Sequence, residues 1–245
     1  RQLPGVSPLV FSRFLLEYTA FLSLSDMGKE LPSYEEIPVA LDMPEDVGEC
    51  YQAVQNVLQK ALKNDRKAAQ KILSAYLNLL TVYPDQPYDQ PEVIHPITGM
   101  PIVTPQSCGD FSRVFPKEEK VLELVQQKVA NGERVLIYTS WTRTDSQQKL
   151  LKLMQENGYR TEILAPQIAT EKREEWVDKR VRNGLQVLIT NPSCVETGLD
   201  LNAFTTIIFY SMGYNLFTMR QASRRSWRIN QTAPKVEVYM LYYAD

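Results

Sequence analysis

The chain has 245 residues, 44% hydrophobic and 23% charged, an ordinary balance for a folded protein with room for one large domain or a domain with a smaller appendage. Its three cysteines (Cys50, Cys108, Cys194) are widely spaced and odd in number and His95 is the only histidine, which argues against a disulfide framework or a metal site and favours a reducing, intracellular compartment. A net charge of −2 excludes a protein that coats nucleic acid with its whole surface, and no signal peptide or membrane span is expected, because Arg13 and Glu17 interrupt the most apolar stretch, Leu9 to Leu24.

In chain order, Phe11, Phe14, Leu15, Tyr18, Phe21 and Leu22 recur at helical spacing and predict an amphipathic helix in the segment that ends near Pro44. A second helical stretch is expected from about Pro44 to Leu80, with Val54, Val57, Leu58, Ala61 and Leu62, then Ile72, Leu73, Tyr76 and Leu80, on its apolar face. Between Pro84 and Pro116 lie seven of the fifteen prolines, which predicts a long, irregular and mobile connector and the best domain boundary.

From Pro116 the pattern alternates. A helix opens at that proline and stops near Gly132, and Val135–Thr139 reads as a strand. A helix from about Asp145 to Gly158, a weaker strand over Thr161–Leu164 and a charged helix over Thr170–Asn183 follow. Gln186–Thr190 and Thr205–Tyr210 are predicted strands, Asn215 to Arg228 a helix, and Val236–Tyr243 the last strand. Continuous apolar runs separated by helices describe strands buried on both faces with helical crossovers, so the expected fold class is α/β, a parallel sheet with helices on both faces, preceded by a mainly helical segment. The division expected is 1–110 for that segment and the connector, and 111–245 for the sheet domain.

Ligands of open α/β sheets bind at the carboxyl ends of the strands, and two loops stand out there. In the first, Asn191 to Leu201, Gly198 permits a tight turn and Asp200 can orient an arginine or accept from a sugar hydroxyl; a plain turn before a strand is the simpler alternative. The second is the stretch from Gln221 to Gln231. It lies in a region, Leu201 to Val236, that holds no acidic residue but carries Arg220, Arg224, Arg225, Arg228 and Lys235. On a helix Arg225 and Arg228 stand three apart and point the same way, with Gln221 one turn earlier, so two guanidinium forks converge as phosphate oxygens require. A solvated basic helix end, favoured by the helix dipole alone, remains the alternative.

Order and spacing favour the first of these. Gln221, Ala222, Arg225, Arg228, Ile229 and Gln231 fall in register on the pattern Gln-Ala-x-x-Arg-x-x-Arg-Ile-Gly-Gln, so the segment resembles motif VI of Swi/Snf-type superfamily 2 ATPases. Asn191 to Leu201 is similar to motif V of that family, Leu136 to Ser140 to its motif IV strand, and Tyr214-Asn215 to its Trp-Asn pair. Lys29 to Pro32 with Tyr51, and Leu73 to Pro84, are similar to its inter-lobe lead-in and helical protrusion. The chain departs from the pattern at Val195-Glu196, where the family has two glycines, and at Arg224, Trp227 and Asn230, where it has Gly or Asp, His and Gly.

The resemblance implies the second RecA-like lobe of a DNA-dependent ATPase. In that arrangement Arg225 and Arg228 act as arginine fingers and Gln221, Gly198 and Asp200 support ATP binding. Ser140, Thr190 and Asn191 would contact the backbone of double-stranded DNA. ATP and Mg2+ would be held mainly by a first lobe, because these 245 residues contain neither a Gly-x-x-x-x-Gly-Lys-Ser/Thr loop nor an Asp-Glu pair. The fragment alone is then expected to be inactive. Its compartment would be the cytoplasm in a bacterium or phage and the nucleus in a eukaryote. Alternatives are another superfamily 2 branch, such as an RNA helicase or a restriction-enzyme motor, and a nucleic-acid-binding scaffold without catalysis.

Overall fold

The computed structural model describes residues 8–20, 31–65, 67–141, 144–195 and 198–244. The chain divides into two compact units, Arg1–Leu31 and Pro32–Asp245. In the first, α1 (Pro8–Val10) runs into a π-type turn over Phe11–Leu15 and a 3-10 turn over Leu16–Tyr18, none of whose residues is buried. The expected stripe is therefore helical but irregular, and its members Phe21 and Leu22 lie outside the described residues.

In the second unit a six-stranded sheet has the order β1-β8-β7-β4-β6-β5, with every pairing parallel. Its members are β1 (Ser33–Leu41), β4 (Val135–Tyr138), β5 (Thr161–Leu164), β6 (Val187–Thr190), β7 (Thr206–Phe209) and β8 (Lys235–Tyr243). The central strands β4, β6 and β7 are buried at every position, which is why their sequences read as unbroken apolar runs. Alternate residues feed opposite faces. Leu136, Leu188 and Ile207 join α6 (Arg173–Arg182) and α7 (Leu216–Ser223) in one cluster. Val135, Ile137, Val187, Ile189 and Ile208 join α4 (Pro116–Ala130) and α5 (Ser146–Glu156) in the other. The α/β class with helices on both faces is the architecture observed.

One strand was not foreseen. The segment before Pro44 was expected to be helical, yet β1 pairs with β8 from Ser33↔Lys235 to Leu41↔Tyr243. Pro38 lacks a backbone donor, and an edge strand, paired on one side only, tolerates that loss. The predicted second helical stretch is two helices, α2 (Glu45–Asn64) and α3 (Ala69–Val82).

The proline-rich connector is also more ordered than expected. It carries a small antiparallel pair, β2 (Val93–Ile94) with β3 (Pro101–Val103), and buries Tyr88, Cys108 and Phe115 against Val47, Val54, Leu58 and Leu79 of the helical pair. The Tyr83 hydroxyl donates to the Gln106 carbonyl at 2.5 Å, and the Tyr88 and Phe115 rings stack with centroids 6.4 Å apart. A buried ion pair, Lys117 to Asp85 at 2.7 Å, ties connector and sheet domain together, and a second, Lys149 to Glu118 at 2.9 Å, joins α5 to the first turn of α4. The boundary expected near residue 110 falls inside this packed region.

Candidate functional site

Parallel strands deliver their carboxyl ends to one edge, where Ser140, Asn191 and Ser211 follow β4, β6 and β7. Asn191 is buried. Its Nδ2 donates to the carbonyls of Thr139 and Ser140, both at 3.0 Å, while its Oδ1 accepts from the Ser193 amide and hydroxyl at 2.9 and 2.7 Å. The Ser140 amide donates to the Ser211 hydroxyl at 2.6 Å and the Ser140 hydroxyl to the Ser211 carbonyl at 3.0 Å. Thr190 is fully buried and its hydroxyl donates to the Leu164 carbonyl at 3.0 Å, tying β6 to β5. Of these three residues only Ser140 is partly exposed, and Asn191 shapes the loop that Ser140 begins.

The two loops singled out by sequence meet in space. Helix α7, whose N-cap Asn215 accepts the Thr218 amide at 3.1 Å, ends at Ser223 rather than Arg228. Arg225 and Arg228 therefore do not share a helical face, and the one-turn spacing from Gln221 does not apply. The chain leaves the helix because tertiary bonds compete for it. The buried Ser226 hydroxyl donates to the Leu201 carbonyl at 3.0 Å, and the Leu201 amide donates to the Arg225 carbonyl at 3.4 Å. Gln231 Nε2 donates to the carbonyls of Ser226 and Asn202, at 2.8 and 3.0 Å.

Across this seam Arg228 Nε lies 2.9 Å from Asp200 Oδ1, with about a third of each side chain exposed. That carboxylate oxygen has no hydrogen bond of normal geometry, so the contact is a charge pair rather than a directed bond. Gly198 adopts φ +76°, where a side chain would be strained, and nothing lies within 4 Å of the position its Cβ would take. Gln221 is half-buried at the end of α7. The positive charge of Arg225 reaches Tyr138, whose hydroxyl burial pushes well above its usual range while that charge opposes the shift.

Three contributors escaped the sequence reading. Arg173 donates to the carbonyls of Ile168, Cys194 and Pro166 at 3.0, 2.8 and 3.2 Å, locking the loop after β5 to the turn after β6. Tyr34 of β1 and Trp227 pack with ring centroids 5.2 Å apart. The Tyr34 hydroxyl bonds Ser223 Oγ at 3.0 Å and Glu36 at 2.7 Å, and its pKa is pushed up to about 12, first by burial. The Trp227 indole N–H donates to the Pro32 carbonyl at 2.7 Å, and Arg224 lies 6.0 and 5.6 Å from the Tyr34 and Trp227 ring centroids. The only prior signal was that Arg224 and Trp227 depart from the motif VI pattern.

Among the described residues no group of three or more His, Cys, Asp and Glu side chains is placed to hold a metal ion. No helix among them is long and apolar enough to cross a membrane. Arg228 is joined to this seam by its contact with Asp200, whereas the charge of Arg225 is felt at Tyr138.

Residues 116–230 match the helicase conserved C-terminal domain. The chain is 28% identical over 155 residues to the mouse chromatin-remodeling ATPase INO80, covering 60% of this chain and 10% of that protein. It is 31% identical over 115 residues to the putative ATP-dependent helicase/translocase YwqA of Bacillus subtilis, covering 47% and 12%. It thus spans about a tenth of the length of the curated relatives it matches. The C-terminal part of the Fun30 ATPase domain shares the fold, with TM-score 0.64, 16% identity and coverage of 88% of this chain and 87% of that one. So does the Sulfolobus solfataricus SWI2/SNF2 ATPase core in complex with dsDNA, with TM-score 0.63, 16% identity and coverage of 86% and 41%. Residues 116–230 thus carry a helicase conserved C-terminal domain, on a RecA-like α/β fold, homologous to that of Swi2/Snf2-type ATPases.

Proposed function

We propose that this lobe works in an ATP-hydrolysing motor that translocates on double-stranded DNA, with residues 111–245 as its second motor lobe and α2, α3 and the connector as a helical protrusion. Arg225 and Arg228 act on ATP whose phosphates and Mg2+ rest on a first lobe. They neutralise charge that develops on the transferring phosphoryl group, which only a planar, permanently charged donor does well in a closing cleft. Asp200 aligns Arg228, Gly198 supplies the turn that brings Asp200 to it, and Gln221 lies at the same end of α7. Ser140 and the loop held by Asn191 and Thr190 offer the DNA backbone a rim at the carboxyl ends of β4 and β6.

The observation that carries this reading is the Asp200–Arg228 charge pair. It joins the two loops that most resemble the family, and it does so through the guanidinium Nε, on a side chain that is partly exposed. Solvent-side access of that kind is what reaching across to a second lobe demands.

The test is single-turnover hydrolysis by the full-length protein. Arg228→Ala is expected to leave ATP binding within a few-fold and to slow hydrolysis by about 10³, roughly 4 kcal/mol of barrier. A stably folded Arg228→Ala protein with a normal rate overturns the assignment. Residues 1–245 alone are expected to hydrolyse no ATP, with or without DNA, and robust turnover by the purified fragment overturns the division of labour.

A further inference from the structure

The stretch carrying Arg225 and Arg228 follows the end of α7, so no helical ladder fixes the direction of either guanidinium. Their placement depends on what grips the stretch from outside. One grip comes from the loop before β7, through Ser226 with Leu201 and Gln231 with Asn202. The other comes from β1, at the far edge of the sheet. There Tyr34 bonds Ser223, the last residue of α7, and its ring packs on Trp227, which sits in the chain between the two arginines. The Trp227 N–H is held by the Pro32 carbonyl one step before β1 begins, and Arg224 covers both rings.

We infer that Tyr34 and Trp227 form a positioning clamp, set by the edge strand β1, that aims Arg225 and Arg228. Neither residue touches the nucleotide; both act through the arginines. The clamp ties the arginine stretch to the first residues of the unit, Pro32 and Tyr34, so a displacement of β1 along β8 is transmitted to both guanidiniums. Arg224 is occupied by the clamp itself, which separates its role from that of its two neighbours.

This inference rests on the proposed role of Arg225 and Arg228, and the experiment separates the two. Single-turnover hydrolysis, ATP affinity and melting temperature are measured in the full-length protein. Tyr34→Ala is expected to slow hydrolysis by about 10-fold or more, as misaimed catalytic groups do, with ATP affinity nearly unchanged. Tyr34→Phe keeps the ring contact and most of the rate. Trp227→Phe keeps apolar packing, loses the bond to Pro32, and slows hydrolysis several-fold, roughly in proportion to lost alignment. Val39→Ala, a β1 residue packed on the opposite face of the sheet, lowers the melting temperature without slowing hydrolysis. Tyr34→Ala added to the double variant Arg225→Ala/Arg228→Ala slows it no further. A normal rate for Tyr34→Ala while Arg228→Ala is crippled, or a further loss in that triple variant, overturns the clamp alone. A normal rate for Arg228→Ala overturns the arginine reading, and the clamp with it.

Discussion

Asp200 and Arg228, 28 positions apart in sequence, meet at 2.9 Å and join the loop after β6 to the stretch after α7. Both are about a third exposed, so solvent screens the pair, and its contribution to stability is at most about 1 kcal/mol. Asp200→Asn is therefore expected to leave the unfolding midpoint nearly unchanged. Hydrolysis by the full-length protein falls by about 10-fold as Arg228 loses its orienting partner. Arg228→Lys does not restore the rate, since an ammonium has no planar fork. A full rate in Asp200→Asn removes the carboxylate from the mechanism.

A different balance governs Asp85 and Lys117, which are almost fully buried and 2.7 Å apart. Burial pushes the Asp85 carboxyl up and the Lys117 charge pulls it back. Asp85→Ala strands the ammonium in the interior between connector and sheet, at a cost of about 3–5 kcal/mol. Replacing both, as Asp85→Leu with Lys117→Met, recovers most of that loss, because apolar partners of similar volume remove the desolvation cost altogether. Urea denaturation of the three proteins checks the ranking.

Acid sensitivity has a specific source in Glu237. Burial acts to raise its pKa, but the bonds from Lys128 and Lys235 outweigh burial and leave it below its ordinary 4.5. A carboxylate whose folded pKa is depressed contributes stability that is fully present above its unfolded value and is lost as pH falls through the folded one. The wild-type protein should thus lose stability more steeply below pH 4.5 than Glu237→Gln does. Thermal melts from pH 6 to about 3 decide the matter, and parallel curves remove Glu237 from the acid limb.

Proteolysis tests the connector. Its flanks are pinned by Tyr83, Tyr88 and Phe115, whereas Ile97 and Met100, in the turn between β2 and β3, are exposed. First cleavage in the described part of this region is expected at 96–100. Early cuts over 84–90 or 105–115 show that the packing around Tyr88 is weaker than its burial indicates.

What could be read from sequence follows from where the controlling contacts lie. The strands β4, β6 and β7 were legible because burial on both faces makes them apolar at every position. Glu35, Glu36 and Pro38 break the apolar pattern of β1, which becomes a strand only through β8, about two hundred positions away. The two loops that Asp200 and Arg228 join were singled out by motif. The end of α7 was misplaced because the bond that stops it, Ser226 to Leu201, is tertiary and leaves no local mark. Trp227 and Pro32 are 195 positions apart, and nothing in either segment announces the other.

The same long-range pairing has a consequence for biosynthesis. Strand β1 leaves the ribosome about two hundred residues ahead of β8, its one partner in the sheet among the described residues, which begins at Lys235. At about 5–20 residues per second its hydrogen-bonding edge waits roughly 10–40 s for β8. For that interval β1 is an unpaired strand, open to pairing with another nascent chain. Slowing elongation over the codons for residues 195–235 should lower the soluble yield of this protein, while a co-expressed holding chaperone should restore it.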